Sequence, residues 1–136
     1  VPATPLLLKV GHIPDQEELG RFLEAMNPYV EGVTLVNGIS RPVLNPDGSP
    51  VFGKDFVQAG VLGRAIHQPS LENVAAACSI IRDRGLELSI AAVGGVSKPE
   101  DIQDFLDAGA EAVLMGSAPM YLPNLALQSK QTLERC

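Results

Sequence analysis

Short apolar runs alternate along this chain with segments whose apolar residues recur every three to four positions. "LLLKV" (6 to 10) is the first such run, and "GHIPDQEELGRFLEAM" after it places Leu19, Phe22, Leu23 and Met26 at helical spacing. Asp15 with Glu18 three residues on forms a capping-box pattern at the start of that helix. "GVTLVN" (32 to 37) is the second strand, and a helix from about Ser70 to Arg84 follows, ended by Gly85. "LELSIAAVGG" (86 to 95) predicts a third strand, with Ser97 and Glu100 as the capping box of a helix carrying Pro99 in its first turn. Ile102, Phe105 and Leu106 give that helix its apolar face, and "AEAVLMGS" (110 to 117) predicts a fourth strand. A final helix runs from Ala118 or Pro123 to Leu133.

Strict alternation of strand and helix predicts a parallel sheet, because parallel strands need a crossover to bring the chain back. The strands read as continuous apolar runs, as expected when both faces of a sheet are covered. The right-handed crossover rule leaves two architectures: an open doubly wound sheet, or part of a (β/α)8 barrel. Residues 38 to 60, "GISRPVLNPDGSPVFGKDFVQAG", interrupt the rhythm with four glycines and three prolines. "NPDGSP" between "PVL" and "PVF" reads as a turn that would allow a small hairpin. The excursion follows a strand's carboxyl end, where α/β folds bind ligands, so a functional lid is the favoured reading.

Composition narrows the classes. At 136 residues, with 46% hydrophobic residues and a formal net charge of −6, the chain reads as one domain unsuited to a nucleic-acid or anionic membrane surface. No apolar stretch approaches the roughly 18 residues of a membrane span, and "VPATPLLLKV" lacks the basic start of a signal peptide, so a cytoplasmic address is expected. Cys78 and Cys136 have no metal-ligand spacing, and Cys78 is expected to be a packed core thiol. His12 and His67 are isolated and are placed in loops; no metal site is predicted.

Every strand ends in something chemically distinctive, and parallel strands bring all those ends to one rim. They are Lys9, Asn37, Gly94 with Gly95, and Gly116 with Ser117, while "AGVLGRAI" sets Gly60 and Gly63 before the second helix. Glycines there let backbone N–H groups approach an anion closely, and loops after the last two strands of a barrel are a recurrent phosphate site. "VGGVS" and "MGSAP" in successive units fit that use better than two unrelated tight turns. Lys9, in an otherwise apolar strand, is either a snorkelling or ion-paired cation or one aimed at an electron-rich ligand. Asn37 is either a turn residue or a donor and acceptor for a planar heterocycle.

Taken in order, "LLLKV" with Pro14-Asp15, "TLVNGIS", "AGVLGRAI" and "AAVGGVSKPEDIQDFLDAGAEAVLMGSA" resemble the C-terminal half of the dihydroorotate dehydrogenase family. That resemblance implies an α/β fold, the C-terminal half of a TIM (β/α)8 barrel with four parallel strand-helix units, in a single partial domain over 1–136. It implies FMN as cofactor. Lys9 matches the lysine beside the pyrimidine edge of the flavin, and Val36 places its backbone against the ring. Gly63, Gly94, Gly95, Gly116 and Ser117 match positions around the ribityl phosphate, and Asn37 matches an asparagine that hydrogen-bonds orotate. The reaction implied is oxidation of dihydroorotate to orotate in pyrimidine biosynthesis, with hydride passing to FMN. Where many family members carry threonine or serine after that asparagine, this chain has Gly38, with Ser40 as the nearby substitute.

The same resemblance assigns the catalytic base to the first half of the barrel, so no catalytic residue is identified in this chain. A complete barrel takes about 250 residues, and four strands would leave two unpaired edges. The expectation is therefore self-association or pairing with a separate N-terminal half, and a chain that is catalytically incomplete alone. The alternatives are a non-catalytic phosphate or flavin-binding half-barrel module, and another flavin or phosphate-sugar barrel enzyme.

Overall fold

The computed structural model describes residues 4–133; Cys136 lies outside them. Four strands, β1 (Leu7–Lys9), β2 (Gly32–Leu35), β5 (Ser89–Val93) and β6 (Ala112–Leu114), form one parallel sheet in the order β1-β2-β5-β6. Between β2 and β5 a separate antiparallel pair, β3 (Ile39–Pro42) with β4 (Gln58–Val61), fills the excursion in which the turn at "NPDGSP" allows a hairpin. The helices are α1 (Gln16–Met26), α2 (His67–Arg84), α3 (Pro99–Asp107) and α4 (Leu125–Leu133), with 3-10 turns at Gly63–Ile66 and Ala118–Met120. Strand order never reverses along the main sheet. A doubly wound sheet requires a reversal and a barrel forbids one, so the fold is a partial (β/α)8 barrel.

Local chemistry explains where the helices start and stop. The Asp15 carboxylate accepts the Glu18 N–H at 2.7 Å, capping α1 as its sequence predicts. Gly85 ends α2 with φ 62°, a left-handed conformation that glycine adopts without strain. At α3 the expected Ser97 and Glu100 box does not form. Lys98 is the N-cap, one residue later, and Asp101 rather than Glu100 turns back to accept from the Lys98 and Ser97 N–H groups. Both acidic residues sit one position apart in the first turn, and the shorter, buried one reaches the loop.

In-register neighbours separate the two faces of the sheet. Leu8, Val33, Leu35, Ile90, Ala92 and Val113 belong to the core formed with Leu19 and Leu23 of α1, Val74 and Ala77 of α2, and Ile102 and Phe105 of α3. Residues between them, Lys9, Thr34, Ala91 and Ala112, share a row on the opposite face. Along the edges that face is bare: Leu7 is 58% exposed and Leu114 46%. The expectation that every strand is covered on both sides therefore holds only for β2, which is buried along its length. No second layer covers the inward face of β1 and β6 among the described residues.

The hairpin excursion follows its turn chemistry. Asn45 N–H donates to Ser49 O at 2.8 Å, and Asp47 accepts from the Ser49 N–H at 2.8 Å and from its hydroxyl at 2.6 Å. The wider β3–β4 pairing, set by residues nearly twenty positions apart, carries no local signal. Cys78 is buried in α2 as expected, and burial pushes its thiol pKa up, which keeps it unreactive. His67 departs from expectation. It is the first residue of α2 and is buried, because its ring packs edge-on against Phe105 with centroids 5.3 Å apart. No helix among the described residues is long and apolar enough to cross a membrane.

Phe105 is fully buried and contacts both the core and His67. Phe105→Ala is expected to lower stability by about 3–5 kcal/mol, read from the shift in urea midpoint at unchanged slope.

Candidate functional site

All four parallel strands point the same way, so the segments leaving them converge on one rim. A cavity of about 200 Å³ there is lined by Asn37 beyond β2, Gly94 and Gly95 beyond β5, Gly116 and Ser117 beyond β6, and Gly63 from the turn before α2. Six of the residues singled out from the sequence thus meet in one place. A wider cavity of about 650 Å³ adjoins it, lined by Lys9, Asn37, Gly38, Ser40, Gly60 and Leu62 among others. Asn37 and Leu62 border both, which makes them one continuous groove. Val36 lines neither cavity. It is buried, its N–H donating to Val93 O at 2.7 Å, and its carbonyl lies beside Gly94.

The glycine pair is required by close approach. Gly95 has φ 69°, and a Cβ there would stand 2.7 Å from the His67 nitrogen and 2.8 Å from the Gly63 carbonyl oxygen. Those are backbone atoms, which cannot swing away. Gly94, at φ 140°, would drive a Cβ into the Ser70 side chain and to 3.1 Å from Val36 O. The turn is therefore pressed against the start of α2. Gly116, by contrast, faces open space. The N–H groups of Gly94, Gly95, Gly116 and Ser117 have no backbone partner among the described residues. A concave surface edged with free backbone donors suits an anion, and it needs no lysine or arginine to do so.

What holds this turn in place is Asp101, which no local sequence pattern marks. One carboxylate oxygen, Oδ2, accepts the Ser97 N–H at 2.8 Å, the Ser97 hydroxyl at 3.0 Å and the Lys98 N–H at 3.1 Å. The other, Oδ1, lies 2.6 Å from the Arg64 guanidinium, an ion pair without hydrogen-bond alignment, and 3.7 Å from His67 Nε2. Burial alone would raise the Asp101 pKa. The Ser97 N–H, the Arg64 guanidinium, the Ser97 hydroxyl and the His67 ring outweigh that and leave it below the usual carboxylate range. Asp101 thus ties the segment after Gly95 to the turn before α2, the two walls of the smaller cavity.

At the wider end Lys9 is exposed on β1, so the cost of burying an ammonium does not arise there. Gly38 has a neighbour that its sequence context hides: a Cβ at this position would meet Leu62 Cδ2 at 2.8 Å. Leu62, exposed and bordering both cavities, has the flexible end of its side chain in this space and would have to turn aside for a side chain at 38. The groove is consequently more apolar on that side than an asparagine followed by threonine or serine would make it.

No family model matches the chain. It is 32% identical over 126 residues to dihydroorotate dehydrogenase of Dictyostelium discoideum, covering 91% of this chain and 34% of that protein. It is 29% identical over 132 residues to the catalytic subunit of dihydroorotate dehydrogenase B (NAD(+)) of Archaeoglobus fulgidus, covering 95% and 40% respectively. Two structures of the Eimeria tenella dihydroorotate dehydrogenase, one in complex with ferulenol and one ligand-free, match its fold with TM-scores of 0.73 and 0.74 at 20% identity. They cover 95% and 96% of this chain and 33% and 35% of their own. The chain spans only about a third to two fifths of the length of these curated relatives. The resemblance to the C-terminal part of dihydroorotate dehydrogenases is borne out in sequence, and the partial barrel in fold.

Asp101→Asn would set an amide against the two N–H donors and remove the charge facing Arg64. It is expected to destabilise by roughly 2–4 kcal/mol at pH 7. Because the folded carboxyl titrates below its unfolded value, its contribution is complete above about pH 4 and is lost as pH falls through the folded pKa. Urea unfolding at pH 7 and pH 3 checks both: the gap between wild type and variant should narrow at pH 3.

Proposed function

We propose that this chain is the FMN-holding part of a dihydroorotate dehydrogenase-like oxidoreductase, and that on its own it binds the flavin without turning over substrate. The observation that carries this reading is the smaller cavity, with two glycine turns offering free N–H groups and one glycine where a Cβ would strike backbone. Gly63, Gly94, Gly95, Gly116 and Ser117 would hold the phosphate. The wider cavity continues from it past Asn37 to Lys9, room of the size that ligand pockets typically offer. When bound, FMN supplies the two-electron redox chemistry.

The chain's own residues orient and polarise. Lys9 contributes a fixed positive charge at the wide end of the groove, which favours the more electron-rich state of whatever lies beside it. Asn37 offers an amide donor and acceptor where the two cavities meet, suited to the edge of a planar heterocycle such as dihydroorotate or a similar ring. The Val36 backbone, pinned to β5, supports the floor between them. No residue of the chain is assigned as the base. With Leu62 against Gly38, the substrate side favours a ring less dependent on a hydroxyl partner than the family's usual residue would.

Titration of the purified chain with FMN, followed by flavin fluorescence and absorbance, tests the reading. Wild type should bind, and anaerobic dihydroorotate should leave the flavin unbleached. Gly95→Val should weaken binding about a hundredfold, the equivalent of about one lost charge-assisted hydrogen bond. Lys9→Ala, at an exposed position that the fold does not need, should keep binding and lower the flavin midpoint potential. Failure of the folded chain to bind FMN, or normal binding by Gly95→Val, would contradict the phosphate assignment.

The bare inward face, with Leu7 and Leu114 exposed at its edges, supports association of two copies or pairing with a complementary half. Light scattering during size-exclusion chromatography should give a mass above that of one chain. A stable monomer contradicts the association.

A further inference from the structure

On the helical side of the sheet, behind the Gly94–Gly95 wall of the smaller cavity, His67 at the start of α2 faces Asp101 and Asp104 on α3. These two carboxylates lie three residues apart and so share one helix face. His67 Nδ1 lies 3.4 Å from the Gly94 carbonyl oxygen, and the tautomer that carries its proton on Nδ1 has its lone pair at Nε2. Nε2 is buried, lies 3.7 Å from Asp101 Oδ1 and 3.5 Å from Asp104 Oδ2, and has no hydrogen-bond partner among the described residues. Asp101 Oδ1, also buried, is held in a 2.6 Å ion pair by the Arg64 guanidinium, which a metal ion would have to displace. Three electron pairs therefore converge, and both separations from Nε2 exceed the 2.7–3.2 Å range of an N–H···O bond.

Those separations suit a metal ion. Nitrogen and carboxylate ligands bind zinc at about 2.0–2.2 Å, which places neighbouring ligand atoms of a tetrahedral site about 3.4 Å apart. The three atoms lie within 4.8 Å of one another, and Asp104, half exposed, is free to swing in and shorten the widest span. We propose that His67, Asp101 and Asp104 form a site for one zinc ion, its fourth position open to solvent beside Asp104. One imidazole with two carboxylates favours a first-row transition ion over magnesium or calcium, which prefer all-oxygen shells. Zinc and the Arg64 guanidinium compete for Asp101 Oδ1, while Oδ2 keeps its three bonds to the loop.

Calorimetric titration of the metal-free chain with zinc chloride, and with magnesium chloride as control, tests this site. Wild type should take up one zinc per chain and no magnesium. Asp104→Asn, at a half-exposed position that leaves the fold intact by circular dichroism, should weaken zinc binding roughly tenfold or more, and His67→Gln should abolish it. Arg64→Ala should tighten it by removing the competing cation. No zinc uptake by the wild-type chain would overturn the proposal. Wild-type affinity in both Asp104→Asn and His67→Gln would place any bound zinc elsewhere and overturn it as well. An Arg64→Ala variant that binds no more tightly would contradict the shared use of Asp101 Oδ1.

Discussion

Asp101 is a fully buried carboxylate that gathers three hydrogen bonds from the segment just after Gly95 and one ion pair from the turn before α2. A buried charge is tolerable only when it is this thoroughly matched, and the matching fixes the positions of everything that supplies it. Ser97 and Lys98 are drawn toward α3, which presses Gly95 against the His67 backbone. Gly63, one residue before Arg64, is drawn to the same place from the other direction. The smaller cavity lies between these two anchored segments and the turn beyond β6, and the N–H groups of Gly94, Gly95, Gly116 and Ser117 have no backbone partner among the described residues.

The sheet beneath distributes stability unevenly. Its helical face carries the core, from Leu19 and Leu23 through Val33 and Leu35 to Phe105, and accounts for the fold's persistence as a unit. Its other face contributes little, since the edge strands leave Leu7 and Leu114 exposed. The helix layer thus carries the packing of this partial barrel, and its inward surface is bare along the edge strands. The groove at the rim draws on the first property, and catalysis of the kind its relatives perform would draw on the second.

Much of this was legible in the sequence because its signals are local. Strand and helix alternation, the Asp15 cap, Gly85 and the glycine turns each depend on residues within four positions of one another, and each appears where expected. The failures share a cause as well. Ser97 with Glu100 and Lys98 with Asp101 look alike as caps, and only burial against Arg64 and His67 decides between them. A lone histidine after "GRAI" carries no sign that Phe105, nearly forty residues on, will cover it. The β3–β4 pairing and the contact of Leu62 with Gly38 are likewise made across distance. The edge strands read as covered because apolar runs show how much a strand can bury, and not whether a partner layer exists.

The groove, its glycine walls and the likeness to the C-terminal part of dihydroorotate dehydrogenases are what support the proposal of a phosphate held by backbone. The central claim is that the free N–H groups of Gly94, Gly95, Gly116 and Ser117 bind that phosphate. Amide chemical shifts of the labelled chain, recorded by NMR with FMN and with riboflavin, which lacks the phosphate, test it most directly. The account predicts large shifts of those four amides with FMN and much smaller ones with riboflavin. Equal shifts with both ligands, or none at these amides, would contradict it.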